Sequence, residues 1–299
     1  MGTPEFAAPC LRMLIAEGYE IAAAVTQPDR PKGRGGKTVA PVIKDVALGA
    51  GLRVLQPERP SDIYGELSEL HFDLCVTAAY GCILKKRFLK MPALGTVNVH
   101  ASLLPRYRGA SPIHAALLNG DGVAGVTTML TVSEVDAGPI LMSASVEVSR
   151  DMYFMDLHDR LAALGAEALK KTIPAYVSGV LRPTPQNDCE ATYAPIIKKS
   201  DGELDFRMCA DRLVNVVRAY GAWPGAVTRL NGKNVRIIKA KAGDTAPVGG
   251  DPSPGDVVGV GRDALSFLCG DGRLLNVTRL QFENGREMDI SECWHNLRK

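Results

Sequence analysis

From Thr3 to Ser178 the sequence switches repeatedly between helical and strand periodicity, and a chain that does so has few ways to fold. Thr3 and Pro4 suit the cap and first position of a helix running to about residue 17, with Gly18 as its stop. Further helices are predicted over 41–50, 63–71, 85–89, 111–118 and 151–178, the last with a kink at Pro174. Strands are predicted over 21–25, 53–56, 72–79, 97–100, 125–132 and 140–148. This alternation implies an α/β fold, a mostly parallel, Rossmann-like sheet with helices on both faces. Residues 182–200 change character, and Pro183, Pro185 and the polar run Gln186-Asn187-Asp188 predict a linker. A helix over 208–220 then leads into five short strands over 226–230, 235–240, 256–260, 265–268 and 274–280. With hairpin turns at Asn231-Gly232 and Asp271-Gly272 they suggest a small OB-like β-barrel. The expected organisation is a large domain over 1–181, a linker over 182–200 and a barrel domain over 201–299.

Composition excludes several function classes. No run of eighteen apolar residues is present, and no basic segment followed by an apolar core opens the chain, so neither a membrane span nor a secretory signal is expected. The seven cysteines are scattered without CxxC spacing, which argues for reduced thiols in the cytoplasm and against a zinc knuckle or disulfide framework. Net charge is only +2, but no acidic residue falls between Asp73 and Asp121 or between Asp211 and Asp244. The first stretch holds Lys85, Lys86, Arg87, Lys90, Arg106 and Arg108, and the second holds seven cations. Two such stretches point to a polyanionic partner, against the plainer reading of solvated surface. The segment 26–37 packs two prolines, three glycines and four cations, Arg30, Lys32, Arg34 and Lys37, into a surface loop. It reads either as a mobile connector or as an arm that contacts phosphates. Its glycines lack dinucleotide-motif spacing.

The residues with most chemistry lie at 95–105. Val97 and Val99 alternate with Asn98 and His100, so the amide and the imidazole share one face of an extended segment. The segment then runs out into Ser102-Leu103-Leu104-Pro105, and ligands of open α/β sheets bind at such carboxyl ends. Asp136 stands in a second strand-end loop before Gly138-Pro139, where the plainer reading is a turn residue. An amide donor, an imidazole and a carboxylate suit acyl transfer through an oxyanion. No serine elbow accompanies His100, and His100 with Asp136 supplies too few ligands for a metal, so none is expected.

Asn98-Val99-His100-Ala101-Ser102-Leu103-Leu104-Pro105 and the later Asp136 resemble the signature of the folate-dependent formyltransferases. Gly2-Thr3-Pro4-Glu5-Phe6, Thr26-Gln27-Pro28-Asp29-Arg30-Pro31, Ala79-Tyr80-Gly81 and Trp223-Pro224-Gly225 follow the family's order almost to the end of the chain. The resemblance implies transfer of formyl from 10-formyltetrahydrofolate to an amine, with Asn98, His100 and Asp136 catalytic. Ser102, Leu103, Leu104 and Pro105 would border the folate with Tyr80 and Gly81. Within the family the basic loop favours members that formylate initiator methionyl-tRNA, with Arg30, Lys32, Arg34 and Lys37 on the RNA and the C-terminal barrel holding its acceptor arm. Such a chain is expected to be a monomer. A sugar-nucleotide amine is the rival acceptor, and an idle RNA-binding protein on the same scaffold is the rival outside enzymology. The family also has a strand before Gly2-Thr3-Pro4, inside the sheet. Its absence from this sequence leads us to expect a natural start upstream of Met1, and neighbouring strands with unpaired backbone.

Overall fold

A computed structural model describes residues 1–32, 37–245 and 251–297. It divides into two compact units, one of residues 1–112, 123–147 and 158–194 and one of residues 113–122, 148–157 and 195–299.

The first unit opens with a 3₁₀ turn, Glu5–Ala7, and helix α1 (Ala8–Ala16). The order then runs β1 (Ala24–Val25), β2 (Arg30–Lys32), β3 (Lys37–Val39), α2 (Val42–Gly49), β4 (Val54–Leu55), α3 (Tyr64–Glu69), β5 (Cys75–Ala78), α4 (Lys86–Leu89), β6 (Thr96–His100) and β7 (Arg108–Gly109). Helix α5 (Pro112–Asn119) leads to β8 (Val123–Leu130) and β9 (Ile140–Glu147), and helix α6 (Phe154–Val177) to β10 (Tyr193–Ala194). The α/β class is as expected, but the main sheet is mixed. Its order is β5-β6-β8-β9, with β5 and β6 parallel and the other two pairs antiparallel. For β8 and β9 the reason is length: residues 131–139 join them directly, and a parallel return needs a crossover of a dozen residues or more. Thr96, Val97, Val99 and His100 of β6 are all buried, as befits a strand covered on both faces. On β9 burial falls off in alternation, as on an edge with one open face. Helix α6 runs through Pro174 and is tied to the sheet by a 2.8 Å hydrogen bond between the hydroxyls of Thr172 and Thr128.

Strands β1 and β4 form a separate parallel pair. Met1 and Gly2 link it to β5: the Gly2 amide donates to Val25 (3.0 Å), and the Ala78 amide donates to the Met1 carbonyl (3.0 Å). A cavity of about 630 Å³ beside them is lined by Ala23, Val25, Leu67, Phe72, Val76 and Ile173 among others.

The second unit is β-rich. Helix α7 (Ala210–Ala219) precedes β11 (Ala226–Leu230), β12 (Lys233–Thr245), β13 (Val257–Val260), β14 (Leu265–Leu268), β15 (Arg273–Phe282) and β16 (Glu287–Asp289), and helix α8 (Ile290–Leu297) follows. The sheet order is β11-β12-β15-β14-β13, with β16 also on β15. No pair among the described residues closes it into a barrel. Asn231 and Gly232 both have positive φ (49° and 76°), the type I′ geometry that Asn-Gly favours.

One cation of the second basic stretch is internal. Arg218 is 5% exposed, and its guanidinium donates to the carbonyls of Met152 and Ser149 (2.8 Å each) and to Asn215 Oδ1 (3.0 Å). Burial lowers its pKa, yet an arginine remains charged. Arg218→Met strips two carbonyls of charge-assisted bonds worth ~1.5–3 kcal/mol each. We expect equilibrium urea unfolding to show a lower midpoint at unchanged slope, a loss of stability of about 3–6 kcal/mol.

Candidate active site

The parallel register of β5 on β6 sets Thr77 beside Asn98. The Thr77 hydroxyl donates to Asn98 Oδ1 at 2.8 Å. That bond fixes the amide's orientation and leaves Nδ2 as its remaining donor. Asn98 is the least buried residue of β6, so this donor stands at an open point of a covered strand.

His100 closes β6 and is 6% exposed. Its Nε2 lies 2.9 Å from the Tyr107 carbonyl oxygen. A carbonyl only accepts, so Nε2 carries the hydrogen, and Nδ1 is the nitrogen free to exchange a proton. Asp136 Oδ2 lies 3.6 Å from Nδ1. The same Oδ2 accepts the Gly109 amide at 2.8 Å. Thus His100 and Asp136, separated by 36 positions in sequence, meet at one rim. Because Nε2 is already engaged by backbone, the imidazole's part in acyl transfer falls to Nδ1.

The backbone around the pair is under tension. Ala79, Tyr107 and Asp136 have φ of 43°, 59° and 51°, in the left-handed region that costs side-chain-bearing residues about 1–3 kcal/mol each. Two glycines are obligatory here. A Cβ on Gly138 would fall 1.7 Å from the Leu130 carbonyl oxygen, and one on Gly109, at φ 112°, would fall 2.7 Å from that of Ala194.

The loop after His100 is held from within. Ser102 is buried and donates to the Arg106 carbonyl at 2.6 Å. Thr127, paired with His100 across β6 and β8, donates to the Ser102 carbonyl (2.7 Å) and accepts the Leu104 amide (3.1 Å). Leu104 is buried, Leu103 packs over Gly125, and the Leu104–Pro105 peptide is cis. Of the expected folate-lining residues, Ser102 and Leu104 thus turn inward. Tyr80 does too, its ring among Val25, Leu55, Tyr64 and Phe88, where burial pushes its hydroxyl pKa up. Its carbonyl accepts from Thr3 Oγ1 and Gln27 Nε2 at 3.0 Å each, close against Gly81.

The basic segment, read as a loop, is a short antiparallel hairpin of β2 on β3, with Arg30 opposite Val39. Arg34 lies outside the described residues, as do the side chains of Lys32 and Lys37. The root of the hairpin is fixed by Asp29, which accepts from Lys44 and Gln56 at 2.7 Å each. Those two bonds hold its carboxyl pKa down.

A family model described as formyl transferase matches residues 1–173, and one described as formyl transferase, C-terminal domain, matches residues 196–298. The chain belongs to the formyl transferase family. Among curated relatives, the methionyl-tRNA formyltransferase of Ruminiclostridium cellulolyticum is 44% identical over 98% of this chain and 94% of its own length. That of Caldanaerobacter subterraneus subsp. tengcongensis is 44% identical over 99% and 96%. Among solved structures, WlaRD, a sugar 3N-formyl transferase, aligns with a TM-score of 0.68 at 17% identity, over 95% of this chain and 97% of that one. At that identity the likeness speaks for a shared formyl transferase fold.

Sequence reasoning missed Thr77, Thr127, Arg108 and Gln186. The first two follow from strand register, which no local pattern reveals. Arg108, read as part of a surface charge, is 4% exposed. Gln186 sat in the stretch read as linker, yet residues 158–194 belong to the first unit, and β10 pairs with β7.

Proposed function

We propose that this chain transfers the formyl group of 10-formyltetrahydrofolate to the α-amino group of initiator methionyl-tRNA. The observation that carries the reaction type is the rim of β6, where one neutral donor, Asn98 Nδ2, stands near an imidazole–carboxylate pair. The acceptor is argued from the full-length similarity to methionyl-tRNA formyltransferases. The folate fits as substrate because the site offers a neutral donor for the formyl oxygen and a proton relay for the amine. Leu103, Pro105 and the backbone about Gly81 and residues 135–138 would border it. An α-amino group titrates near ~7.7–8.0, so a useful fraction is already neutral at pH 7. The harder task is charge on the formyl oxygen during attack. Asn98 Nδ2 donates to that oxygen, and His100 Nδ1, backed by Asp136, takes up the amine proton.

Arg30, Lys32, Arg34 and Lys37 contact the acceptor end of the RNA, and the C-terminal sheet, read as an OB-like platform, holds the arm. Lys239 and Arg279 face each other across β12 and β15, and Lys241 stands exposed further along β12. The two expected domains, 1–181 and 201–299, divide the work between chemistry and RNA. No described helix is long and apolar enough to cross a membrane. We place the enzyme in the cytoplasm, where charged tRNA is found, as a monomer. The test is a formyl-transfer assay with charged initiator and charged elongator tRNA in parallel. Transfer to the initiator in clear preference is expected. Transfer to neither rejects the acceptor, and transfer to a sugar-nucleotide amine instead would favour the rival.

A further inference from the structure

We infer that Gln186, held by Arg108, is a positioning residue that sets the Asp136 carboxylate against His100. The inference rests on the catalytic reading of Asp136 above. The Gln186 Nε2 donates to two carbonyls of one loop, Asp136 at 2.8 Å and Gly138 at 2.7 Å. Its Oε1 accepts from Arg108 Nε at 3.0 Å, which fixes the amide's orientation. Arg108 is buried and also donates through Nη2 to Asp188 Oδ1 at 2.7 Å, two residues beyond Gln186.

The latch grips a residue that would otherwise drift. Asp136 sits at φ 51°, and among the described residues its carboxylate takes one backbone donor, the Gly109 amide. Gly109 directly follows Arg108, so the same short strand supplies the carboxylate's donor and the cation that orients Gln186. The Thr184 amide and the Ile140 carbonyl, at 2.8 Å, fasten the strap two residues before Gln186 to the end of the same loop. A strained conformation persists only when its surroundings over-determine it. Here one side-chain amide pins the strained residue's own carbonyl and that of Gly138. With the latch gone, the loop can relax and Oδ2 can leave its place 3.6 Å from His100 Nδ1.

The deciding variant is Gln186→Glu in the full chain. Glutamate keeps the volume and the Arg108 partnership but loses both donors, and it sets a carboxylate against two carbonyls. A structural role alone would leave chemistry intact as long as the melting temperature holds. We expect kcat at saturating folate and charged initiator tRNA to fall roughly tenfold to a hundredfold, with KM for both substrates changed by less than about threefold. The cost should vanish in an Asp136→Asn background, since the latch acts through that carboxylate. A readout independent of turnover is hydrogen exchange at the Gly109 amide, whose acceptor is Asp136 Oδ2. Gln186→Glu should speed it at least fivefold, while amides of β6 stay unchanged. Unchanged Gly109 exchange overturns the inference whether or not the chain is active. Wild-type transfer with kcat for Gln186→Glu within twofold also overturns it. An inactive wild type rejects the catalytic reading separately, with the exchange result still deciding the latch.

Discussion

Asn98→Ala should lower kcat for formyl transfer by about 10²–10³ while the protein melts at the wild-type temperature, because it removes a donor aimed at developing charge. The formyl group is amide-like, and its carbonyl oxygen gains negative charge as the amine attacks. A donor helps that step only if it is in place beforehand. Thr77 provides the placement: its hydroxyl holds Asn98 Oδ1 at 2.8 Å, so the amide cannot flip without losing that bond. Alanine keeps the strand, since Asn98 is only half-buried on a strand otherwise packed by Val97 and Val99. Asn98→Asp is the sharper form, with nearly the same shape and a negative charge where the oxyanion must form. It should be at least as inactive as alanine. Single-turnover transfer with both substrates saturating separates this from a binding effect. Turnover of either variant within threefold of wild type would sink the oxyanion role.

Much of this site was legible because it depends on local pattern. The two-residue period of β6 put Asn98 and His100 on one face, whereas Asp136 read alone as a turn residue and was singled out by the family resemblance. What stayed hidden depends on pairing between distant segments. Thr77 meets Asn98 only through the register of β5 on β6, and Gln186 reaches Asp136 across 50 positions. Burial reverses a reading too: Arg108 and Arg218, counted as surface charge, are both buried, the first engaging Gln186 and Asp188 and the second the carbonyls of Met152 and Ser149. Two misses had a signal. The short connection between β8 and β9 forbids a parallel return. Helix α8 is foreshadowed by Ile290, Cys293 and Leu297 at helical spacing and by Glu292, whose carboxylate accepts the Asp289 amide at 3.1 Å. The β2–β3 hairpin had none, because Arg30-Pro31-Lys32 carries no apolar alternation.

Asp136→Asn should cost about 10²–10⁴ in kcat, the range of a general acid–base contribution, with little change in either KM. The substitution is informative because so much survives it. Asparagine tolerates the left-handed backbone that Asp136 adopts, and its Oδ1 can still accept the Gly109 amide. The backbone carbonyl that Gln186 grips is unchanged. Only the negative charge facing His100 Nδ1 is lost. With Nε2 committed to the Tyr107 carbonyl, Nδ1 is the edge through which His100 would take the amine proton on this proposal, and an imidazolium formed there would need a nearby anion. Asp136→Asn therefore removes charge at constant geometry, whereas Gln186→Glu disturbs geometry at constant Asp136 charge. If the carboxylate serves proton transfer, the first should cost more than the second. Near-normal turnover of Asp136→Asn, alongside a slow Gln186→Glu, would instead reduce Asp136 to a hydrogen-bond anchor for Gly109 and leave His100 to act unaided.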